Sequence, residues 1–86
     1  MSTNLPQYDA VVWSQQRCNY CNMAKALLKS KGFTYQERMV GNDEGNWTKE
    51  ALYEAVPDAR SVPQIFFKGQ YVGGYQELKQ LLDANT

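Results

Sequence analysis

The run Asp9-Ala-Val-Val-Trp-Ser14, followed by Gln15-Gln16-Arg17 and then Cys18-Asn-Tyr-Cys21, decides how the rest of this chain is read. Its first six residues carry a β-branched and aromatic run suited to one short buried strand. From about Asn19 to Lys31 the pattern turns helical. Ala24, Leu27, Leu28 and Lys31 recur at helical spacing, while Lys25 and Lys29 point to another side. Gly32 ends that helix, and Lys29 and Lys31 suit its negative end. Phe33 and Tyr35 open a second alternation, so Thr34 to Met39 reads as a strand. Strand, helix and strand in this short span form a βαβ unit, which makes the two strands parallel.

Outward from that unit, Gly41-Asn-Asp-Glu-Gly-Asn46 is a polar loop rich in turn formers. Thr48 suits the N-cap of a second helix, with Glu50 in its first turn and Leu52, Ala55 and Val56 on its apolar side. Pro57 and Asp58 stop it. Gln64-Ile-Phe-Phe67, the turn Lys68-Gly69-Gln70 and Tyr71-Val72 read as a hairpin. Gly73-Gly74 breaks it, and Tyr75 to Ala84 sets Leu78, Leu81 and Leu82 on one helical stripe. The order βαβαββα predicts an α/β fold, a four-stranded mixed sheet flanked by three helices packed on both faces.

Eighty-six residues suit one small domain spanning 1–86. Nine basic residues balance nine acidic ones, which argues against nucleic acid as a partner. The charge is nevertheless uneven, with five basic and two acidic groups in residues 1–40 and two and five in residues 41–60. Lys25, Lys29 and Lys31 read as a solvated helix face. No run of about 18 apolar residues exists to span a membrane. Met1 to Tyr8 lacks the basic start and apolar run of a signal peptide, and a reducing cytoplasm is the expected compartment. The chain has no histidine, which excludes Ser-His-Asp and Cys-His catalysis, His-ligated zinc and His-bound haem. Chemistry is left to carboxylates, lysines, tyrosines and two cysteines.

Those cysteines stand three apart, just after a buried strand and at the start of a helix. A helix's first turn offers unpaired N–H groups and a partial positive charge, and both favour a thiolate. A thiol of pKa ~8.5 is only about 3% ionised at pH 7. Lowering it to ~5 takes about 5 kcal/mol, whereas the helix dipole supplies about 0.3–1 and at most ~2. Backbone N–H donors of the turn Asn19-Tyr20-Cys21 and the cation of Arg17 must supply the rest. On this reading Cys18, at the outer edge, is the exposed nucleophile. Cys21, one turn inside, resolves the mixed disulfide and leaves Cys18–Cys21 bonded. A pair of inert thiols in an interaction module is the competing reading. Zinc is disfavoured, because two cysteines fill half a tetrahedral site and no metal ligand set is complete.

Three pieces, Arg17-Cys-Asn-Tyr-Cys21, Ser61-Val-Pro-Gln-Ile-Phe66 and Gly73-Gly-Tyr75, occur in an order that resembles the glutaredoxins from about Ala10 to Leu82. The form is similar to the short dithiol members of bacteria and phages. The resemblance implies a thioredoxin fold and a disulfide oxidoreductase drawing electrons from glutathione. It also implies a cis Pro63 facing the cysteines and a Val62 backbone that pairs with glutathione as an added strand. Contacts to glutathione would come from Gln15, Arg17, Tyr20, Arg60, Ser61, Val62, Pro63, Gly74, Tyr75 and Gln76. Protein disulfides, with ribonucleotide reductase as one recipient, are the implied substrates, and the protein is expected to act as a monomer.

Three positions depart from the family pattern. Gln15 stands where a lysine is common and Gln76 where an acid is common, so two charges that would pair with the tripeptide are gone. Asn19 replaces the usual proline of the dithiol motif. Some relatives lacking that proline hold a [2Fe–2S] cluster through the active cysteine and glutathione. A cluster carrier built on Cys18 is therefore the alternative to the enzyme.

Overall fold

A computed structural model describes residues 8–41 and 47–84. The loop reading at 42–46 lies outside the described residues. Seven elements follow in the order β1 (Ala10–Ser14), α1 (Asn19–Ser30), β2 (Tyr35–Met39), α2 (Lys49–Ala55), β3 (Gln64–Phe67), β4 (Gln70–Gly73) and α3 (Tyr75–Ala84). The sheet order is β2-β1-β3-β4, with β1 parallel to β2 and β3 antiparallel to both β1 and β4. The mixed sheet expected from the element order is the one observed.

Strand alternation sorts the core into two layers. Ala10 and Val12 of β1 and Ile65 of β3 pack with Ala24 and Leu28 of α1 and Leu78 and Leu82 of α3. On the opposite face Trp13 and Val40 pack with Leu52 of α2, joined by the partly buried Val11, Trp47 and Phe66. Within α2, Leu52 is buried and Ala51 packs at its side, but Ala55, read as apolar-facing, is exposed. The chain leaves the helix at the buried Val56, so Ala55 as its last residue stays in solvent.

Helix α1 ends as its sequence predicts. Gly32 adopts φ 85°, a left-handed conformation that suits a residue without Cβ. The N–H groups of Gly32 and Phe33 return to the carbonyls of Lys29 and Leu28 at 3.0 and 2.9 Å, closing the last turn. The hairpin turn is two residues long, Lys68 and Gly69, both at positive φ, and Phe67 pairs with Gln70 across it.

The lysine face of α1 is not simply solvated. Lys25 Nζ lies 2.8 Å from Glu37 Oε2, which also accepts from the fully buried Ser14 hydroxyl at 2.6 Å. Lys31 pairs with Asp83 of α3 at 3.7 Å. Lys25 fastens α1 to β2, whereas Lys29 and Lys31, both exposed, keep the solvated role read from the sequence, Lys31 making only a loose surface pair. Partial burial pushes the Glu37 carboxyl up, but hydrogen bonds from Lys25 and Ser14 and the Lys25 charge outweigh it. The net effect holds Glu37 below its ordinary value.

Candidate active site

Between β1 and α1 the chain turns at Gln16–Arg17, where Arg17 takes φ 60°. The next residue, Cys18, has extended backbone (φ −111°, ψ 105°) and serves as the N-cap of α1. Its Sγ accepts a hydrogen bond from the Cys21 N–H at 3.1 Å. This is the backbone donor that the energetic argument from sequence required. Cys21 is 1% exposed and packed inside, whereas Cys18 is half-buried. Cys18 is thus less open than the sequence suggested, its sulfur joined to that of the buried Cys21 in a disulfide.

The loop before β3 closes over the same sulfur. The Val62–Pro63 peptide is cis, as the resemblance implied, and Pro63 is buried. The Val62 carbonyl oxygen stands 3.7 Å from Cys18 Sγ. In the disulfide that sulfur carries no proton, so the approach is a contact rather than a hydrogen bond. The Gly73–Gly74 turn supports the loop from the other side. Gly73 sits at φ 119° with the Glu77 side chain so near that an added Cβ would meet it at 3.2 Å. Gly74 lies against the Pro63 carbonyl, and its N–H is capped by Glu77 Oε1 at 3.0 Å.

Two hollows flank Val62. The larger, about 570 Å³, runs past Tyr20, Pro63, Gly74, Tyr75 and Gln76. The smaller, about 180 Å³, is bounded by Gln15, Lys49, Tyr53 and Arg60. Ser61 and Val62 form a wall of both. The structure therefore brings together every residue singled out for ligand contact except Arg17, which is exposed and lines neither hollow. Sequence reasoning missed Lys49 and Tyr53 in the small hollow, and Gln64, Tyr71 and Glu77 in the large one. Tyr20 and Tyr75, from the first turns of α1 and α3, face each other with ring centroids 6.0 Å apart. Among the described residues no three Cys, Asp or Glu side chains gather to hold a metal ion.

Comparison with known proteins decides the family. The glutaredoxin family model matches residues 10–72, which span both cysteines, the Val62–Pro63 loop and most of the hairpin. The chain belongs to the glutaredoxin family. Glutaredoxin 3 of Escherichia coli K12 is 37% identical over 70 residues, 81% of each chain. A probable glutaredoxin of Synechocystis is 36% identical over 70 residues, covering 81% of this chain and 77% of that one. Among solved structures, the dithiolic glutaredoxin 2-C-Grx1 of Trypanosoma brucei brucei superposes with a TM-score of 0.72 at 29% identity, covering 91% of this chain and 80% of that one. A buckwheat glutaredoxin–glutathione complex superposes at 0.73 and 26% identity, covering 91% and 71%. The architecture is the thioredoxin fold shared by these glutaredoxins. With its Cys18–Cys21 pair, this glutaredoxin is a thiol–disulfide oxidoreductase.

Proposed function

We propose that the protein reduces protein disulfides and glutathione mixed disulfides at the expense of glutathione, with Cys18 as nucleophile and Cys21 as resolving thiol. The observation that carries the assignment is the asymmetry of the pair. The Cys21 N–H points at Cys18 Sγ, while Cys21 itself is buried. An N–H directed at one sulfur favours its thiolate, and burial keeps the other protonated.

Cys18 thiolate attacks a substrate disulfide sulfur, forming a mixed disulfide and releasing the first substrate thiolate, which takes a proton from solvent. Cys21 loses its proton and attacks Cys18 Sγ, closing the Cys18–Cys21 bond and releasing the second substrate thiol. Two glutathione thiols then reopen that bond in successive exchanges and leave as glutathione disulfide. Two electrons move in total, from two glutathiones to one substrate disulfide. A glutathionylated substrate needs only the first attack, after which one further glutathione removes the bound one from Cys18.

Glutathione fits along Ser61–Val62 as an added strand beside Cys18. Lys49 and Arg60 give the small hollow a cationic rim suited to the glycyl carboxylate. Gln15 there offers a neutral amide. Tyr75 and Gln76, in the first turn of α3, suit the γ-glutamyl carboxylate, with Glu77 nearby for its ammonium. Tyr20 walls the same groove. The buckwheat relative superposes in complex with glutathione, which supports this reading. A reducing cytoplasm and a monomeric domain over 1–86 go with it, and ribonucleotide reductase is one candidate among protein recipients. The alternative, a [2Fe–2S] cluster bridged between two chains by Cys18 and two glutathiones, draws its four thiolates from one sulfur per chain and one per glutathione. Visible absorbance with dimer formation in anaerobic, glutathione-containing buffer would mark it off from the enzyme.

A coupled assay with glutathione, glutathione reductase and NADPH tests the proposal. NADPH consumption is expected with both a glutathione mixed disulfide and a protein disulfide. Cys18→Ser should fall to the uncatalysed rate with both substrates. Cys21→Ser should stay within about tenfold of the parent on the mixed disulfide and lose protein-disulfide reduction. A dead Cys21→Ser beside a working Cys18→Ser would reverse the roles, and a parent protein inactive with glutathione would end the glutathione reading.

A further inference from the structure

Tyr71 lies on the edge strand β4, 52% exposed, yet its hydroxyl is committed to the interior. Its ring stands 5.4 Å from that of Phe66 on β3, its partner across the hairpin. That contact holds the ring so that the hydroxyl reaches Gln64 Oε1 at 2.5 Å. Gln64 opens β3 opposite Trp13 and is only 8% exposed. The other end of its amide, Nε2, donates to the Ser61 carbonyl at 2.8 Å. A carbonyl only accepts, so Nε2 must face Ser61, Oε1 must face Tyr71, and the tyrosine must donate.

The chain of bonds thus runs Tyr71 to Gln64 to Ser61. It ends on the segment that walls both hollows and holds the Val62 carbonyl 3.7 Å from Cys18 Sγ. We propose that Tyr71 is a positioning residue which, acting through Gln64, holds Ser61–Val62 in the conformation that receives substrate beside Cys18. The inference rests on the reading that a glutathione strand pairs with this segment. Without the hydroxyl, Oε1 loses its protein donor, and the amide is released to rotate and give up Ser61. The exposed edge of the sheet thereby sets the geometry of a loop on its far side of the groove.

Tyr71→Phe keeps the ring packing and removes only the donor, so its test separates positioning from folding. The first readout needs no glutathione: the backbone ¹⁵N order parameter of Val62 in the free, oxidised protein. It should drop from about 0.85 in the parent toward the flexible range below about 0.6 in the variant. The second is steady-state kinetics on a glutathione mixed disulfide, where KM should rise about fivefold to tenfold with kcat within about twofold. Gln64→Ala should raise KM equally, and Tyr71→Phe/Gln64→Ala should raise it no further, as members of one bonded chain behave. An unchanged Val62 order parameter overturns the proposal even if Tm falls. So does an unchanged KM, or two single effects that multiply. If the parent protein fails to turn over glutathione substrates, the glutathione reading falls, and the Val62 order parameter alone decides the positioning role.

Discussion

Cys18 occupies a position that helices usually give to Ser, Thr, Asp or Asn, with a sulfur in place of the usual cap oxygen. The same backbone N–H that would satisfy an oxygen lies 3.1 Å from Sγ. The motif and its place after a strand were enough to put the pair at the helix start from the sequence, because N-cap geometry is local. The partner of Lys25 was not legible in the same way, since Glu37 is twelve residues away on another element. Its carboxylate is held below the ordinary value by the Lys25 and Ser14 hydrogen bonds and the Lys25 charge, which together exceed the opposing effect of burial. A depressed folded-state pKa adds stability above the unfolded value, and that stability is lost as pH falls through the folded value. Glu37→Gln is therefore expected to be less stable than the parent at pH 7. The gap in urea midpoints should narrow from about pH 4.5 downward and close in stronger acid. A gap that stays constant from pH 7 to pH 2 would contradict this account of the Lys25–Glu37–Ser14 cluster.

Helix boundaries were readable because their caps are short-range chemistry. Thr48 accepts from the Ala51 N–H at 3.1 Å as its position before Lys49 predicted, and Gly32 closes α1. The inward face of α2 was harder, because a seven-residue helix displays less than two full turns of pattern. The two helices should respond differently to substitution. Leu28 is fully buried between α1, the sheet and α3, so Leu28→Ala should cost about 2–5 kcal/mol by urea unfolding. Thr48→Ala removes one exposed cap bond and should cost about 1 kcal/mol. Equal losses would mean that the α1–α3 layer is not the principal core.

The molecule as a whole is built unequally about its sheet. Among the described residues, one face packs Leu28 of α1 and Leu78 of α3 on Val12 and Ile65, all fully buried, while the other carries only short α2, whose Leu52 packs with Trp13 and Val40. Native-state hydrogen exchange should accordingly show α2 amides opening at lower free energy than those of β1, α1 and α3. Uniform protection across all the helices would refute that division. The groove was the least legible part of the protein. Gln64, Tyr71, Glu77, Lys49 and Tyr53 reach it from four elements, and no local spacing announces a wall that only the folded sheet assembles. On the proposed function that wall serves the sulfur at the start of α1, so its ionisation is the quantity to measure. The reduced protein should be alkylated with iodoacetamide from pH 4 to pH 10, and the label located by peptide mapping. Cys18 should react first, with its rate inflecting well below the ~8.5 of a free thiol, while Cys21 lags. Labelling that begins at Cys21, or an inflection near ~8.5 for both, would contradict the account.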